Sequence, residues 1–143
     1  MPNRDFEVQQ LLKAYRSGLI SEALFEQQMD ELVEASKAQS VPNVFAYRGD
    51  GKKLAQQNLS KTAQSESMVF TLPAGFKPDG ENAHKGDQLL YVIEGRATCR
   101  VSGKECEIKA GDFVTIPAGA PHSLRTAAEP LFALTVFAPP ESA

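Results

Sequence analysis

Apolar residues near the start of the chain recur at spacings of three and four, which is typical of amphipathic helices. Two such series lie between about Asp5 and Ser36, and they consist of Val8, Leu11, Leu12 and Tyr15, followed by Phe25, Met29, Leu32 and Val33. Between the series, Gly18 suits the left-handed position after a helix and Ser21 suits the N-cap of the next helix. Ile20 is placed to pack on Phe25 across that cap. The pattern predicts a helical hairpin over residues 1–40.

The helical period stops at a short linker, Ala38 to Asn43. Beyond the linker, apolar residues fall in short segments rich in β-branched and aromatic side chains, at positions 67–72, 88–93, 97–101, 112–116 and 131–137. Glycines separate most of these segments. Many short strands punctuated by Gly and Pro predict a mainly β protein with an antiparallel sandwich or barrel, here over residues 44–140.

The net charge of -3 disfavours nucleic acid and anionic membrane surfaces as partners, because both select basic patches. The hairpin is itself acidic, which also disfavours a DNA-binding helix-turn-helix. Small molecules or protein partners are expected instead. No apolar run approaches the roughly 20 residues that span a bilayer, and no signal-peptide core follows Met1, so we expect a cytoplasmic protein.

The turn Gly18-Leu19-Ile20-Ser21, followed by Phe25, resembles the two-helix SHOCT modules that are appended to many bacterial proteins. Two helices cannot enclose their own apolar face, so Phe6, Phe25 and Met29 are expected to pack on the β domain or on a second subunit. The hairpin is therefore interpreted as a docking or oligomerisation appendage. A homodimer is expected, because antiparallel sheets also expose edge strands that can pair.

The segment from Gly111 to His122 carries the most informative pattern in the chain. Gly111 is followed by Pro117 after six residues, by Gly119 two residues later and by His122 three residues after that. This spacing resembles the second conserved motif of the cupin superfamily. The resemblance implies an antiparallel jelly-roll barrel of the RmlC-like cupin type, with His122 directed into the barrel.

The first cupin motif has a His-x-His pair, then an acid and then a glycine. Counting back from Gly95 places Gln88 at the acid, His84 at the second histidine and Asn82 at the first. The trailing asparagine of the family falls at Thr126. The site is thus altered, but both histidines of the chain occupy ligand positions, a coincidence with odds on the order of one in a few thousand.

The resemblance implies a divalent transition metal (Ni, Zn, Fe, Mn or Cu), here with Asn82, His84, Gln88 and His122 as candidate ligands. Without the family's carboxylate, a bound ion keeps its double charge, which favours an anionic ligand such as a carboxylate or phosphate. Strand alternation places Asp87 on the opposite face from Gln88, so Asp87 can replace the carboxylate only at a bulge. The alternative is a metal-free polar cluster that orients a ligand by hydrogen bonds.

Three functions remain open from the sequence. The first is a metal-dependent enzyme acting on a small organic acid or a related metabolite. The second is a non-catalytic ligand-binding or sensing module. The third is an accessory protein that keeps a residual pocket.

The same alternation predicts which neighbours face inward, namely Leu90, Val92, Ala97, Cys99, Val101 and Leu124. Glu94 shares this parity, but its place beside Gly95 favours a solvated turn residue. If Ser102-Gly103 is a two-residue turn, then Cys99 lies directly opposite Cys106, on one face with Ala97 and Ile108. Two cysteines without a secretory signal predict reduced, buried thiols rather than a disulfide.

Overall fold

The computed structural model of the chain describes residues 4–35 and 37–141. Residues 1–3 and 36, which the predicted hairpin includes, lie outside the described residues. The chain divides into two units, Met1–Gln39 and Ser40–Ala143. The boundary falls within the linker that the change of hydrophobic period indicates.

The first unit contains two helices, α1 (Arg4–Arg16) and α2 (Glu22–Ala35). Gly18 between them has a φ of +73°, and the Leu24 N–H donates to Ser21 Oγ over 3.2 Å. The C-cap and N-cap predicted for these residues are therefore confirmed. The rings of Tyr15 and Phe25 stack with centroids 4.7 Å apart and join the two helices. Neither described helix is long and apolar enough to cross a membrane.

The second unit begins with a short 3₁₀ helix (Val44–Tyr47) and continues as strands in two antiparallel sheets. In the described residues the strands are β1 (Ala55–Lys61), β2 (Glu66–Leu72), β3 (Asp87–Glu94), β4 (Arg96–Val101), β5 (Lys104–Lys109), β6 (Phe113–Ile116), β7 (His122–Arg125) and β8 (Leu131–Ala138). The larger sheet has the order β1-β2-β8-β3-β6, and the smaller has the order β5-β4-β7. The mainly β, antiparallel fold with a preceding helical hairpin is therefore confirmed.

The apolar core lies between the inner faces of the two sheets. Strands β2, β3 and β8 contribute from the larger sheet and β4 and β5 from the smaller one, through Leu72, Leu90, Val92, Ala97, Cys99, Ile108, Leu131 and Ala133. Val101 and Leu124 pack against this cluster. The predicted inward positions are therefore confirmed, and they fix the face to which Gln88 points.

The β4–β5 hairpin has the predicted register, with Cys99 directly opposite Cys106. Both thiols are free, and Cys99 is buried, but Cys106 is exposed. The prediction that both are buried was therefore wrong for Cys106. Strand β5 is an outer strand of the smaller sheet, and its inner face is covered at Ile108 but not at Cys106, nearer the turn.

Glu94 stays partly solvated, as predicted for its place beside Gly95, with 42% of its side chain exposed. It is half-buried, and Arg48 Nη1 donates to both of its carboxylate oxygens, over 2.5 and 2.7 Å. The ion pair fastens the segment before β1 to the end of β3. Alternation was not a guide to the direction of Glu94, because the register with β8 shifts between Val92 and Glu94. The partner Arg48, distant in sequence, was also not visible in the local pattern.

Candidate functional site

A cavity of about 240 Å³ opens among the inward-facing residues of the second unit. One part of its wall is apolar, and the other part is made by the polar residues Gln56, Asn82, His84, Gln88, His122, Ser123 and Thr135. All four residues singled out from the motifs therefore line one cavity. Their role as metal ligands stays a prediction.

His122 is directed into the cavity by the loop that precedes it. Two contacts fasten this loop: the Gly119 N–H donates to the His84 carbonyl over 2.8 Å, and the Ala118 N–H donates to Asp87 Oδ1 over 3.0 Å. Gly119 has a φ of +77°, in the left-handed region that favours glycine. His122 can then begin β7 with its side chain buried.

Asn82 pairs with His122 through the backbone. The Asn82 N–H donates to the His122 carbonyl over 2.9 Å, and the His122 N–H donates back over 2.8 Å. Residues directly opposite in an antiparallel pair direct their side chains to the same face. The Asn82 amide therefore stands beside His122 at the exposed side of the cavity.

The two imidazole rings lie close together, with centroids 4.9 Å apart and planes inclined at 49°. Two imidazoles that share one ion through bonds of roughly 2 Å have ring centroids about 5 Å apart. His122 Nδ1 lies 3.0 Å from the Ala120 carbonyl oxygen. Because a carbonyl only accepts, Nδ1 of a neutral His122 carries the proton and Nε2 keeps its lone pair.

Gln88 provides the third donor. Its Nε2 donates to Thr135 Oγ1 over 3.0 Å, whereas its Oε1 is buried without a hydrogen-bond partner in the described part of the chain. A buried, unpaired carbonyl oxygen is rare in proteins, because leaving it unmatched costs about 1–3 kcal/mol. A cation or a ligand donor at this point removes that cost.

Two residues discussed from the sequence lie outside the cavity wall. Asp87 faces away from Gln88, as strand alternation predicts, and its Oδ1 accepts a hydrogen bond from the Ala118 N–H. It therefore does not replace the missing carboxylate. Thr126 is buried, and its Oγ1 accepts the Phe76 N–H over 2.9 Å and donates to the Pro73 carbonyl. At this position, where the cupin pattern has asparagine, the chain has a residue that fastens a loop.

Sequence reasoning missed Ser123 and Thr135 on the cavity wall and Glu141 beside His84. Thr135, inside an apolar strand, holds the Gln88 amide. Glu141 brings Oε1 to 3.2 Å from His84 Nδ1, and no motif indicated it. The inward parity of β8 could have identified Thr135, whereas Glu141 follows the last strand and has no periodic signal.

The charges of the site are few. Among the residues that the structure describes, no group of three or more His, Cys, Asp or Glu side chains is arranged to hold a metal ion. A metal in this cavity therefore depends on two imidazoles together with an amide oxygen. The residues present supply such a set of uncharged donors, namely His84, His122 and the Gln88 carbonyl oxygen, which has no hydrogen-bond partner in the described residues.

Comparisons with known proteins agree with this architecture. Residues 68–137 match the cupin domain family (Cupin_2). An uncharacterised protein of Streptomyces coelicolor is 35% identical over 74 residues, which cover 52% of this chain and 70% of that protein. An acireductone dioxygenase of Alcanivorax borkumensis is 29% identical over 107 residues, which cover 68% of this chain and 59% of the enzyme.

Among solved structures, the TT1209 protein of Thermus thermophilus superposes with a TM-score of 0.62 at 27% identity. The alignment covers 70% of this chain and 97% of that structure. The residues matched by the family model extend from within β2 to within β8 and contain both His84 and His122. The chain is a member of the cupin family.

Proposed function

We propose that the cavity binds a small organic anion at a divalent transition metal held by His84, His122 and Gln88, with Asn82 at its edge. The observation that carries the proposal is the Gln88 carbonyl oxygen, which is buried in a cavity wall with two imidazoles and has no hydrogen-bond partner among the described residues. The spacing of the two rings and the free lone pair on His122 Nε2 support the same assignment.

The donor types favour a borderline transition metal such as Ni, Zn, Fe, Mn or Cu. Imidazole nitrogen suits these ions, whereas Mg and Ca prefer sets made only of oxygen. When bound, such an ion acts as a Lewis acid that polarises a ligand oxygen. Three protein donors leave coordination positions open for that ligand.

Charge selects the class of ligand. His84, His122 and Gln88 are uncharged donors, so the ion keeps its double charge and attracts an anion. The apolar part of the wall, including Phe70, Leu72 and Phe76, excludes water and suits a carbon skeleton. With a volume of about 240 Å³, the cavity suits a compact carboxylic acid rather than a polymer or a nucleotide.

The chain's own polar groups orient the ligand. Asn82 and Ser123 place an amide and a hydroxyl on the cavity wall near His122. The related acireductone dioxygenase is an enzyme, which supports a catalytic role in addition to binding. The reaction class we favour is therefore metal-dependent chemistry on a small oxygen-rich acid.

A second candidate function is metal-free ligand binding. It is favoured by one observation, that the described acidic, thiol and imidazole side chains form no group of three able to hold a metal. In that case Gln88 Oε1 accepts a hydrogen bond from a ligand hydroxyl or amine. The protein then acts as a binding or sensing module without turnover.

Metal retention by matched variants separates the two candidates. Metal-free protein is equilibrated with Zn²⁺ or Ni²⁺ and dialysed, and the bound metal is measured by elemental analysis. We expect His84→Ala to lose the metal and Gln88→Glu to bind it at least about tenfold more tightly, because the carboxylate restores a negative charge. Gln57→Glu makes the same change at an exposed position of β1, outside the cavity, and is expected to leave affinity unaltered.

The opposite result is equally informative. If Gln88→Glu binds no more tightly than the unsubstituted protein and His84→Ala keeps its metal, the metal-binding proposal is wrong. Metal-free ligand binding then becomes the better account of the cavity.

A further inference from the structure

We infer that Glu141 is a positioning residue for His84: its carboxylate keeps the proton on Nδ1 and leaves Nε2 as the donor atom for the cavity. This inference rests on the proposed function only in naming Nε2 as the atom used by the metal. It assigns a role to a residue that belongs to neither cupin motif.

The contact itself is direct. Glu141 Oε1 lies 3.2 Å from His84 Nδ1, and the His84 side chain is only 19% exposed. The two atoms are not aligned as a hydrogen bond, so the buried Nδ1 has no hydrogen-bond partner in the described residues. The Glu141 side chain is 39% exposed, and its Oε1 is already within hydrogen-bonding distance of Nδ1. A buried ring nitrogen beside an acceptor gains from alignment as a hydrogen bond.

Close packing holds the segment that carries Glu141 against the segment that carries His84. Gly86 lies so near the end of β8 that a Cβ there would be 2.5 Å from both the Ala138 carbonyl oxygen and Pro139 Cδ. The Phe137 ring meets the His84 ring edge-on, with centroids 4.8 Å apart. Glu141 is therefore brought to His84 by packed backbone and an aromatic contact.

The two histidines then have parallel arrangements. At His122 the Ala120 carbonyl oxygen lies 3.0 Å from Nδ1, and at His84 the Glu141 carboxylate lies 3.2 Å from Nδ1. A neutral imidazole has one N–H, so an acceptor at Nδ1 leaves the lone pair on Nε2. Histidines that bind metals commonly have their other nitrogen fixed in this way by a carboxylate or carbonyl. Position 88 has no carboxylate to bind the metal directly, but the Glu141 carboxylate lies beside the histidine that would bind it.

The tautomer of His84 tests this inference without any metal. Long-range ¹H–¹⁵N correlation spectra of metal-free, ¹⁵N-labelled protein are recorded near pH 8.5, where free imidazole is neutral. We expect the Nδ1–H form at both histidines. In Glu141→Ala, His84 should become a mixture of the two neutral forms while His122 stays unchanged. Glu129→Ala removes an exposed carboxylate that pairs with Arg96 and should alter neither ring.

Zinc binding by the same proteins provides the second readout. Glu141→Ala should weaken Zn²⁺ binding about 10- to 100-fold, and Glu141→Gln, which keeps an acceptor oxygen, should recover part of the loss. An unchanged His84 tautomer in Glu141→Ala overturns the positioning role. A tautomer change combined with no Zn²⁺ binding by any of the proteins overturns the proposed metal site and leaves the positioning role supported.

Discussion

Gln88 shows how one side chain can couple the stability of the fold to the occupancy of the cavity. It is only 7% exposed, and its amide nitrogen donates to Thr135, while its oxygen has no hydrogen-bond partner in the part of the chain that the structure describes. An amide presents a carbonyl oxygen at this position without burying a charge. The residue therefore gives a neutral site that tolerates an empty cavity.

The substitution Gln88→Glu places a charge at this neutral position. In the metal-free protein we expect a loss of about 1–3 kcal/mol in the free energy of unfolding, because a carboxylate is buried without a cation. Excess Zn²⁺ should restore the lost stability and raise the melting temperature above that of the unsubstituted protein. Thermal melts with and without Zn²⁺ measure this, with Gln57→Glu as the matched control. Equal melting temperatures for both metal-free variants would contradict the buried position assigned to Gln88.

The two cysteines should differ sharply in reactivity. Burial, and then the neighbouring Cys106 thiol, raise the pKa of Cys99 to about 11. At pH 8 only about one Cys99 in a thousand is then a thiolate. Iodoacetamide should modify the exposed Cys106 in the folded protein and spare Cys99, as read by peptide mass spectrometry. Cys99 modification should rise about tenfold per pH unit between pH 8 and 10; rapid modification of Cys99 at pH 8 would show that it is not buried.

At the level of residues, motif spacing was enough to place His84, Gln88 and His122 in one cavity, because each motif fixes a strand and the face it presents. Glu141 was not predictable in this way. Its contact with His84 depends on the path of the chain after β8 and on the small size of Gly86. The exposure of Cys106 was also not predictable, because it depends on how far the apolar core extends along the edge strand β5.

The turns between the elements are where backbone conformation decides the fold. Gly95, between β3 and β4, and Gly103, between β4 and β5, both have a φ of +85°. A Cβ at Gly95 would lie 2.0 Å from the Pro130 carbonyl oxygen, whereas a Cβ at Gly103 would have nothing within 4 Å. The first turn is packed against backbone, and the second is open.

This pair gives a matched test. Gly103→Ala should cost only the strain of a left-handed alanine, about 1–2 kcal/mol in the free energy of unfolding. Gly95→Ala should cost at least about 2 kcal/mol more, because the backbone of Pro130 must also move. Chemical denaturation of both variants gives the comparison. Equal losses would mean that the close approach at Gly95 is not present.

Strand β1 is an element that the hydrophobic pattern of the sequence did not predict. Its sequence, Ala55–Lys61, is mostly polar and was not among the predicted strand segments. It becomes a strand by pairing with β2 at the edge of the larger sheet. Strands β3 and β8 were visible because their burial demands apolar side chains, a requirement that an exposed edge strand does not have.

On the scale of the whole molecule, the chain divides into two units, Met1–Gln39 and Ser40–Ala143. Deletion of residues 1–40 should leave a folded β unit with an unchanged affinity for Zn²⁺, because every cavity residue lies in the second unit. Circular dichroism and zinc titration of the truncated protein measure this. Loss of β structure on truncation would show that the hairpin is part of the second unit's core.

Self-association should depend on the hairpin. Its surface exposes large apolar side chains, among them Leu19 at 78% and Phe6 at 54%. We expect the full chain to sediment as a homodimer at micromolar concentration and the truncated chain to associate more weakly. A full-length monomer in sedimentation velocity experiments would contradict this expectation.

The central claim is that His84, His122 and Gln88 hold one divalent ion in the cavity. Anomalous difference density from a crystal of the Zn²⁺-loaded protein, with data on both sides of the zinc absorption edge, tests it most directly. We predict one strong peak about 2.0–2.2 Å from a ring nitrogen of each histidine and from Gln88 Oε1. A cavity without a peak, in crystals that bind zinc only at surface carboxylates, would contradict the claim.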